Sequence, residues 1–168
     1  MLKELENRRC CRSFIADKPV EEEKIQEVIN AGLHAPSAMN QQTGIIVAIT
    51  NKEIRDKLLA LNSLGRGGDT FYGAPVVLLV ASKGQFTNLD GGAMIENMLI
   101  EACHQGLGAC WIHRAKDELE SKEGQQLFKS VGIDLSEYTG VGHVILGYPA
   151  SKEYRPKEIK DGRVFWVK

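Results

Sequence analysis

Three arginines, Arg8, Arg9 and Arg12, lie close together near the start of the sequence, in the stretch RRCCR. Guanidinium groups bind a phosphate or a carboxylate through paired hydrogen bonds, so this cluster suits an anionic ligand. A solvated charged corner has the same composition, and the spacing alone leaves both interpretations open. Cys10 and Cys11, between the arginines, are neighbours in sequence, and such a pair seldom forms an unstrained disulfide.

A second polar group lies in the stretch HAPSAMNQQ, residues 34–42. Pro36 marks the end of a predicted helix, and Ser37 and Asn40 follow with short side chains that donate and accept hydrogen bonds. A loop of this kind recognises a planar polar ligand, although the same residues are typical of an ordinary helix stop. Both interpretations stay open on this stretch alone.

Other chemistries fit the sequence poorly. Cys103, His104, Cys110 and His113 are potential metal ligands, but adjacent helical residues point in different directions and no C-x-x-C pair is present. No serine stands in a G-x-S-x-G stretch, and neither G-x-G-x-x-G nor G-K-[S/T] occurs. We therefore predict no metal site, no hydrolytic triad, and no Rossmann or P-loop nucleotide site.

Length and charge exclude several further classes. The 168 residues suffice for one domain with one core, and 21 Lys and Arg balance 22 Asp and Glu without a long basic run. We therefore expect no nucleic-acid partner. The longest apolar stretches fall short of the ~20 residues of a membrane span, and the N-terminus is charged. We expect a cytoplasmic protein with no membrane partner and with reduced cysteines.

Apolar periodicity predicts the elements that position the polar groups. Helices are predicted over Ile25 to Leu33, from Asn51, from Asn88 and around 117–131, and strands at 44–50, 75–82, 107–112 and 141–149. The strand at 75–82 is apolar almost throughout, which indicates a central position covered on both faces. The tail ends in VFWV, residues 164–167, and we expect this apolar segment to be buried as an added strand, on this chain or on a partner.

Four stretches together, and in this order, resemble the nitroreductase family of FMN-dependent oxidoreductases: RRCCRSF, APSAMNQQ, DGGAMIENMLIEACHQGLGACWI and VILGYP. The resemblance covers most of the chain. It implies an α+β fold with a central, mostly antiparallel sheet flanked by helices, and an intertwined homodimer of the short, single-domain type. Residues 1–168 then form one domain, and the tail, about 151–168, packs on the partner subunit.

The resemblance also implies roles for the arginine cluster. The family pattern R-R-S-x-R-x-F is matched by Arg8, Arg9, Arg12 and Phe14, and its basic side chains hold the FMN phosphate and ribityl chain. Cys10 stands in the serine position, where a thiol is a weaker hydrogen-bond donor than a hydroxyl. The cluster is therefore identified as a flavin phosphate site.

Two more segments resemble the ring-binding parts of the family. In relatives, a loop A-P-S-x-x-N contacts the isoalloxazine ring from the neighbouring subunit; here it reads Pro36, Ser37 and Asn40. The strand after G-L-G lies near the flavin ring edge in relatives; here it contains Trp111, Ile112 and His113. This arrangement implies a site that two subunits share.

The match extends beyond GYP, and apart from Cys10 it departs from the family in two places. Basic residues after GYP complete the phosphate site in relatives, and Arg155 and Lys157 are the candidates here. Thr43 and Gly44 stand where relatives usually have proline and tryptophan. The chain also lacks the long insertion that often roofs the active site, so an open pocket is expected.

The resemblance implies that bound FMN carries the chemistry, which agrees with the absence of a catalytic triad. NADH or NADPH reduces FMN and leaves, and a small-molecule acceptor such as a nitroaromatic, a quinone or a free flavin then takes the electrons at the same ring face. Neither substrate needs a dinucleotide fold. Two alternatives stay open: an FMN store or sensor without turnover, and a specialised flavin enzyme of the same fold.

Overall fold

The computed structural model describes residues 1–64, 67–151 and 157–168. The helices are α1 (Lys3–Asn7), α2 (Glu22–Leu33), α3 (Lys52–Asn62), α4 (Thr87–His104), α5 (Ala115–Glu120) and α6 (Lys122–Ser130), and a short 3₁₀ turn covers Ala38–Asn40. The strands are β1 (Ile45–Ile49), β2 (Val76–Ser82), β3 (Gly108–Ile112) and β4 (Thr139–Gly147). Among the described residues, no helix is long and apolar enough to cross a membrane.

The four strands form one sheet in the order β1-β2-β4-β3. Each neighbouring pair is antiparallel, which confirms the predicted α+β class with its antiparallel sheet. Every residue of β2 is buried, so the apolar run at 75–82 is the central strand that the sequence predicted. The β3 strand lies at one edge of the sheet.

Side chains alternate across the central strands and so create two cores. On the first face, Leu78 of β2 packs with Met98 of α4 and with α2. On the second face, Leu79 of β2 packs with Leu58 of α3 and Phe128 of α6. We call these the first face and the second face; α4 covers the first, and α3, α5 and α6 cover the second.

Helix boundaries follow local side-chain chemistry. Asn51 caps α3 as predicted, because its side-chain oxygen accepts a hydrogen bond from the Ile54 N–H at 3.1 Å. The single helix predicted around 117–131 is wrong, since α5 and α6 are separated at Ser121. Ser121 has an extended backbone and its Oγ accepts from the Gly124 N–H at 2.9 Å, so it caps a new helix there. A serine that bonds to nearby backbone competes with continuous helix in this way.

One residue of the apolar pattern predicted over Ile25 to Leu33, and the tail that the sequence predicted to be buried, are exposed in the single chain. Leu33 at the end of α2 is 54% exposed, and in the tail Phe165 and Trp166 are 88% and 81% exposed. Residues 157–168 form no strand with this chain. Burial of the tail on a partner subunit stays a prediction.

Candidate functional site

The arginine segment is fixed along the edge strand β3. Cys10 pairs with Ala109 in an isolated parallel bridge, and the Cys11 N–H donates to the Ala109 carbonyl at 2.9 Å. Phe14 forms a second bridge with Pro149. The segment 8–14 is therefore held against β3 and the residues after β4, which places the basic side chains next to residues that follow about a hundred positions later.

A cleft opens where this segment meets the end of β3. It has a volume of about 240 Å³ and we call it the β3 cleft; its lining comprises Arg12, Asn62, Thr70, Tyr72 and residues 110–114. The structure thus brings Arg12 together with Trp111, Ile112 and His113, as the sequence predicted. Tyr72 and Arg114 also line the cleft, and no motif in the sequence singled them out.

A buried polar network holds the backbone at this end of β3. The Asn62 amide donates to the His113 carbonyl at 2.9 Å and to Glu118 Oε1 at 2.5 Å. Glu118 Oε2 lies 2.7 Å from His143 Nε2, and Arg114 donates to the Asn62 carbonyl at 2.7 Å. Asn62, Glu118 and His143 are all at least nine-tenths buried. Directional hydrogen bonds of this kind hold the bonded atoms in place as well as stabilising them, so the network sets the shape of the cleft wall.

The same network accounts for a strained residue. Arg114 has a φ of 77°, a left-handed conformation that a non-glycine residue adopts only when its surroundings impose it. Its guanidinium is bound to the Asn62 carbonyl, and α5 begins directly after it. The turn from β3 into α5 is therefore held at both its backbone and its side chain.

The Trp111 indole lies against Gly142 of the neighbouring strand. A Cβ atom at Gly142 would overlap Trp111 Nε1, so glycine is what allows this close approach. The ring is 41% exposed and forms part of the cleft wall. An aromatic face held against a sheet and open on its other side suits stacking with a planar group.

The positive charges of Arg8 and Arg12 both act on the Cys10 sulfur. Cys110, which hydrogen-bonds to the Cys10 sulfur, and the positive charges of Arg12 and Arg8 lower the pKa of Cys10 to about 5. Arg8 also lies 3.8 Å from a carboxylate oxygen of Glu96. The field that stabilises a thiolate here would equally stabilise another anion, so the geometry supports anion binding at the arginine cluster.

Arg9 is arranged differently from its neighbours. Its Nη1 donates to the Glu6 and Arg8 carbonyls at 2.7 and 2.8 Å, which satisfies the C-terminal end of α1. Arg8 and Arg9 line a shallow pocket of about 40 Å³ with Cys103 and Ala109. This pocket is on the α4 side of the segment, whereas Arg12 points into the β3 cleft.

The loop at 36–42 forms a separate pocket of about 200 Å³, which we call the loop pocket. Its lining includes Pro36, Ser37, Asp90 and Met94. The loop is fixed by Asp90, which accepts the Ala38 N–H at 3.0 Å, and by Ser37 Oγ, which accepts the N–H of residue 42 at 2.9 Å.

Strain is concentrated in this loop. Met39, Asn40 and Gln42 have φ values of 52°, 54° and 50°, which non-glycine residues seldom adopt. Asn40 is exposed and does not line the loop pocket. A Cβ at Gly44, just after the loop, would overlap the Met94 sulfur, so the Met94 side chain would have to move to admit a larger residue there.

A model of the nitroreductase family matches residues 5–65 and 60–148 of the chain. The chain belongs to the nitroreductase family. It is similar to a protein of Methanothermobacter thermautotrophicus named as a candidate NADH dehydrogenase/NAD(P)H nitroreductase, with 26% identity over 159 residues, covering 89% of this chain and 78% of the relative. A protein of the same name from Archaeoglobus fulgidus is 24% identical, covering 90% of this chain and 87% of the relative.

Solved structures show the same fold. A nitroreductase from Bacteroides fragilis with bound FMN has a TM-score of 0.87 at 23% identity, covering 99% of this chain and 97% of that one. A BluB-like flavoprotein from Clostridium difficile has a TM-score of 0.82 at 19% identity, covering 99% and 98%. The nitroreductase fold predicted from the four sequence stretches is confirmed.

Within this nitroreductase-family chain, the predicted site residues fall into three groups. Arg12 and residues 111–113 share the β3 cleft, Arg8 and Arg9 share the shallow pocket, and Pro36 and Ser37 line the loop pocket. Lys157 is exposed and lines none of these three cavities. Arg155 lies outside the described residues.

Sequence reasoning missed the residues that support the β3 cleft of this family member. Asn62, Glu118 and His143 are far apart in the chain and match no motif. One weak signal was present, since Glu118 interrupts the apolar face of a helix and His143 stands in an otherwise apolar strand. Polar residues at core positions of two elements indicate a partnership, but the sequence does not say which residues are partners.

Proposed function

We propose that the protein is an FMN-dependent oxidoreductase that takes electrons from NADH or NADPH and passes them to a small-molecule acceptor such as a nitroaromatic, a quinone or a free flavin. The observation that carries the proposal is the β3 cleft, where Arg12 and the strand Trp111–His113 meet. Membership of the nitroreductase family supports it. So do the FMN-bound structures of the same fold and the names of the relatives.

The residues present fit a flavin phosphate. Arg8 and Arg12 both act on the Cys10 sulfur, so a phosphate beside that sulfur would lie in the field of two guanidinium groups. Charge-assisted hydrogen bonds from arginine are suited to this anion. Arg9 stabilises the segment from the end of α1, and Arg155 and Lys157 are proposed to complete the phosphate site from the tail.

The flavin ring is proposed to lie between two copies of the chain. Ser37 and Pro36 line a pocket separate from the β3 cleft, and Asn40 is exposed beside it. A second copy that brings its loop over the cleft would complete the site, which is why we propose a homodimer. Packing of the exposed Phe165 and Trp166 on the partner would remove large apolar area from water.

Bound FMN supplies the hydride chemistry, and the chain supplies binding and orientation. Arg12 holds negative charge at the cleft, and the network through Asn62 keeps the backbone of His113 in place. Trp111 offers an apolar wall that excludes water from one side of the cleft. These residues bind and orient and form no catalytic triad, which agrees with a reaction that the cofactor carries.

The test is the visible absorption spectrum of the purified protein, before and after addition of NADH and then NADPH without oxygen. We expect the absorption of an oxidised flavin that disappears with at least one of the two nucleotides and returns when a nitroaromatic or a quinone is added. A protein that stays colourless after incubation with FMN would overturn the proposal. A flavin that neither nucleotide reduces would replace it with a flavin store.

A further inference from the structure

One peptide group in the wall of the β3 cleft is held from one side by a buried side chain. The Asn62 amide donates to the His113 carbonyl at 2.9 Å. The peptide between His113 and Arg114 is trans, and in a planar trans peptide the carbonyl and the N–H point in opposite directions. The Arg114 N–H therefore points away from the Asn62 side chain.

The other main-chain group of Arg114 and its side chain already have protein partners. The Arg114 carbonyl accepts the Glu118 N–H at 3.2 Å at the start of α5, and the guanidinium donates to the Asn62 carbonyl. Within the part of the chain that the structure describes, the Arg114 N–H donates to no protein atom. Because Arg114 lines the β3 cleft, a ligand bound there can accept this hydrogen bond.

The orientation of the Asn62 amide is fixed by its own partners. Its nitrogen lies between two acceptors, the His113 carbonyl and Glu118 Oε1, and only the nitrogen end of an amide carries donors. Asn62 is 1% exposed, so water does not compete for these bonds. The peptide that precedes the strained Arg114 is thus held from the end of α3 by a single buried side chain.

We propose that Asn62 is a positioning residue for the bound flavin: through the His113 carbonyl it aims the Arg114 N–H into the β3 cleft, where this donor favours reduced over oxidised FMN. The inference rests on the proposed FMN-dependent function. Reduction adds negative charge to the flavin ring, and a donor that is already oriented stabilises such charge without reorganisation. Asn62 therefore acts on the redox potential through the peptide that it holds.

The main experiment compares the midpoint potential of bound FMN in the unaltered protein, in Asn62→Ala and in Leu58→Ala, by anaerobic titration against an indicator dye. In Asn62→Ala the peptide loses its partner. We expect reduced FMN to bind about tenfold more weakly while oxidised FMN binds as before, because one hydrogen bond to a charged group is weakened. For a two-electron couple, that tenfold change lowers the potential by about 30 mV.

Leu58→Ala is the matched control for a loss of stability. Leu58 is fully buried on the second face and lies one helical turn before Asn62 on α3. Its truncation weakens the packing of the same helix and removes no hydrogen bond of the network, so its potential should equal that of the unaltered protein. A shift of the same size in both variants would overturn the proposal, because Asn62 would then act through stability alone.

A second measurement uses the unaltered sequence, so it does not depend on the folding of a variant. His113–Arg114 is the single His-Arg pair in the chain, so protein made with carbonyl-¹³C histidine and ¹⁵N arginine gives one signal in a carbonyl-selected NMR spectrum. We expect the Arg114 amide proton to shift downfield when FMN binds, and further when dithionite reduces the FMN. An unchanged signal in protein that has bound FMN would overturn the proposal.

The proposed function and the positioning role fail in different ways. Protein that binds no FMN overturns both. Protein whose FMN is reduced by NADH or NADPH, but whose potential is the same in Asn62→Ala, overturns the positioning role alone. A flavin that neither nucleotide reduces, with its potential still lowered in Asn62→Ala, overturns the proposed enzyme and supports the positioning role.

Discussion

On the first face of the sheet, α2 and α4 cover Leu78 and Val144 with a cluster of apolar side chains. On the second face, Glu118 and His143 lie buried within an otherwise apolar cluster and bond to each other at 2.7 Å. The residues of both clusters are buried, but apolar burial has no preferred direction whereas hydrogen bonds fix atoms in place. The polar network occurs on the face whose edge forms the β3 cleft, where backbone position matters for binding.

The largest expected effect is the loss of Glu118. In Glu118→Ala, the buried His143 and Asn62 lose their shared partner, and removal of one member of a buried polar pair costs about 3–5 kcal/mol. Urea or guanidinium unfolding of the variant and the unaltered protein measures the change. A loss below about 1 kcal/mol, the net value of an ordinary hydrogen bond, would show that the network is not a main support of the second face.

A smaller effect is expected at the cleft that the network supports. Arg12→Ala should weaken FMN binding by about 1.5–3 kcal/mol, or about 10- to 150-fold in Kd, because a charge-assisted contact to the phosphate is lost. Flavin fluorescence quenching during titration measures Kd. Lys57→Ala is the control, since Lys57 is exposed on α3 and pairs with Glu53. Equal affinities in all three proteins would remove Arg12 from the phosphate site.

Two thiols in different surroundings, Cys103 and Cys10, sharpen the comparison further. Cys103, which packs with the first face, has its pKa raised mainly by burial, whereas the pKa of Cys10 is lowered to about 5. Between pH 8 and 6 the Cys10 thiolate stays ionised, so its alkylation rate should be nearly constant. The Cys103 rate should fall about tenfold for each pH unit, because its thiolate fraction falls in proportion.

Two variants make that measurement specific. Iodoacetamide reacts with Cys10 in Cys11→Ser/Cys103→Ser, since Cys110 is buried, and with Cys103 in Cys10→Ser/Cys11→Ser. Parallel pH profiles in the two proteins would show that neither Cys110 nor the arginine cluster lowers the pKa of Cys10.

The smallest effect is expected on the apolar face. Met98 is fully buried there, and Met98→Leu keeps its volume and character, so the cost should stay below about 1.5 kcal/mol. The same unfolding experiment as for Glu118→Ala measures it, and FMN affinity should be unchanged. A cost as large as that of Glu118→Ala would mean that the two faces tolerate change equally.

Local patterns predicted much of the fold correctly. The apolar run at 75–82 became the central strand, and Asn51 caps α3, because both depend on a few neighbouring residues. The helix break at Ser121 was missed, since a serine is equally typical of a helix surface and of a cap. Leu33 belongs to the apolar pattern of its helix but is exposed in the single chain, because periodicity identifies an apolar face without identifying what covers it.

The sequence by itself determined the family, the antiparallel α+β class, and the place of Arg12 and of residues 111–113 beside the β3 cleft, since these are recorded in motifs and in short-range periodicity. Only the tertiary structure decided that Cys10 pairs with Ala109 of β3, and that Glu118 joins His143 and Asn62. These contacts arise because the strand order β1-β2-β4-β3 and the pairing of 8–12 with β3 bring distant segments together. Side-chain patterns within one segment carry no information about that pairing.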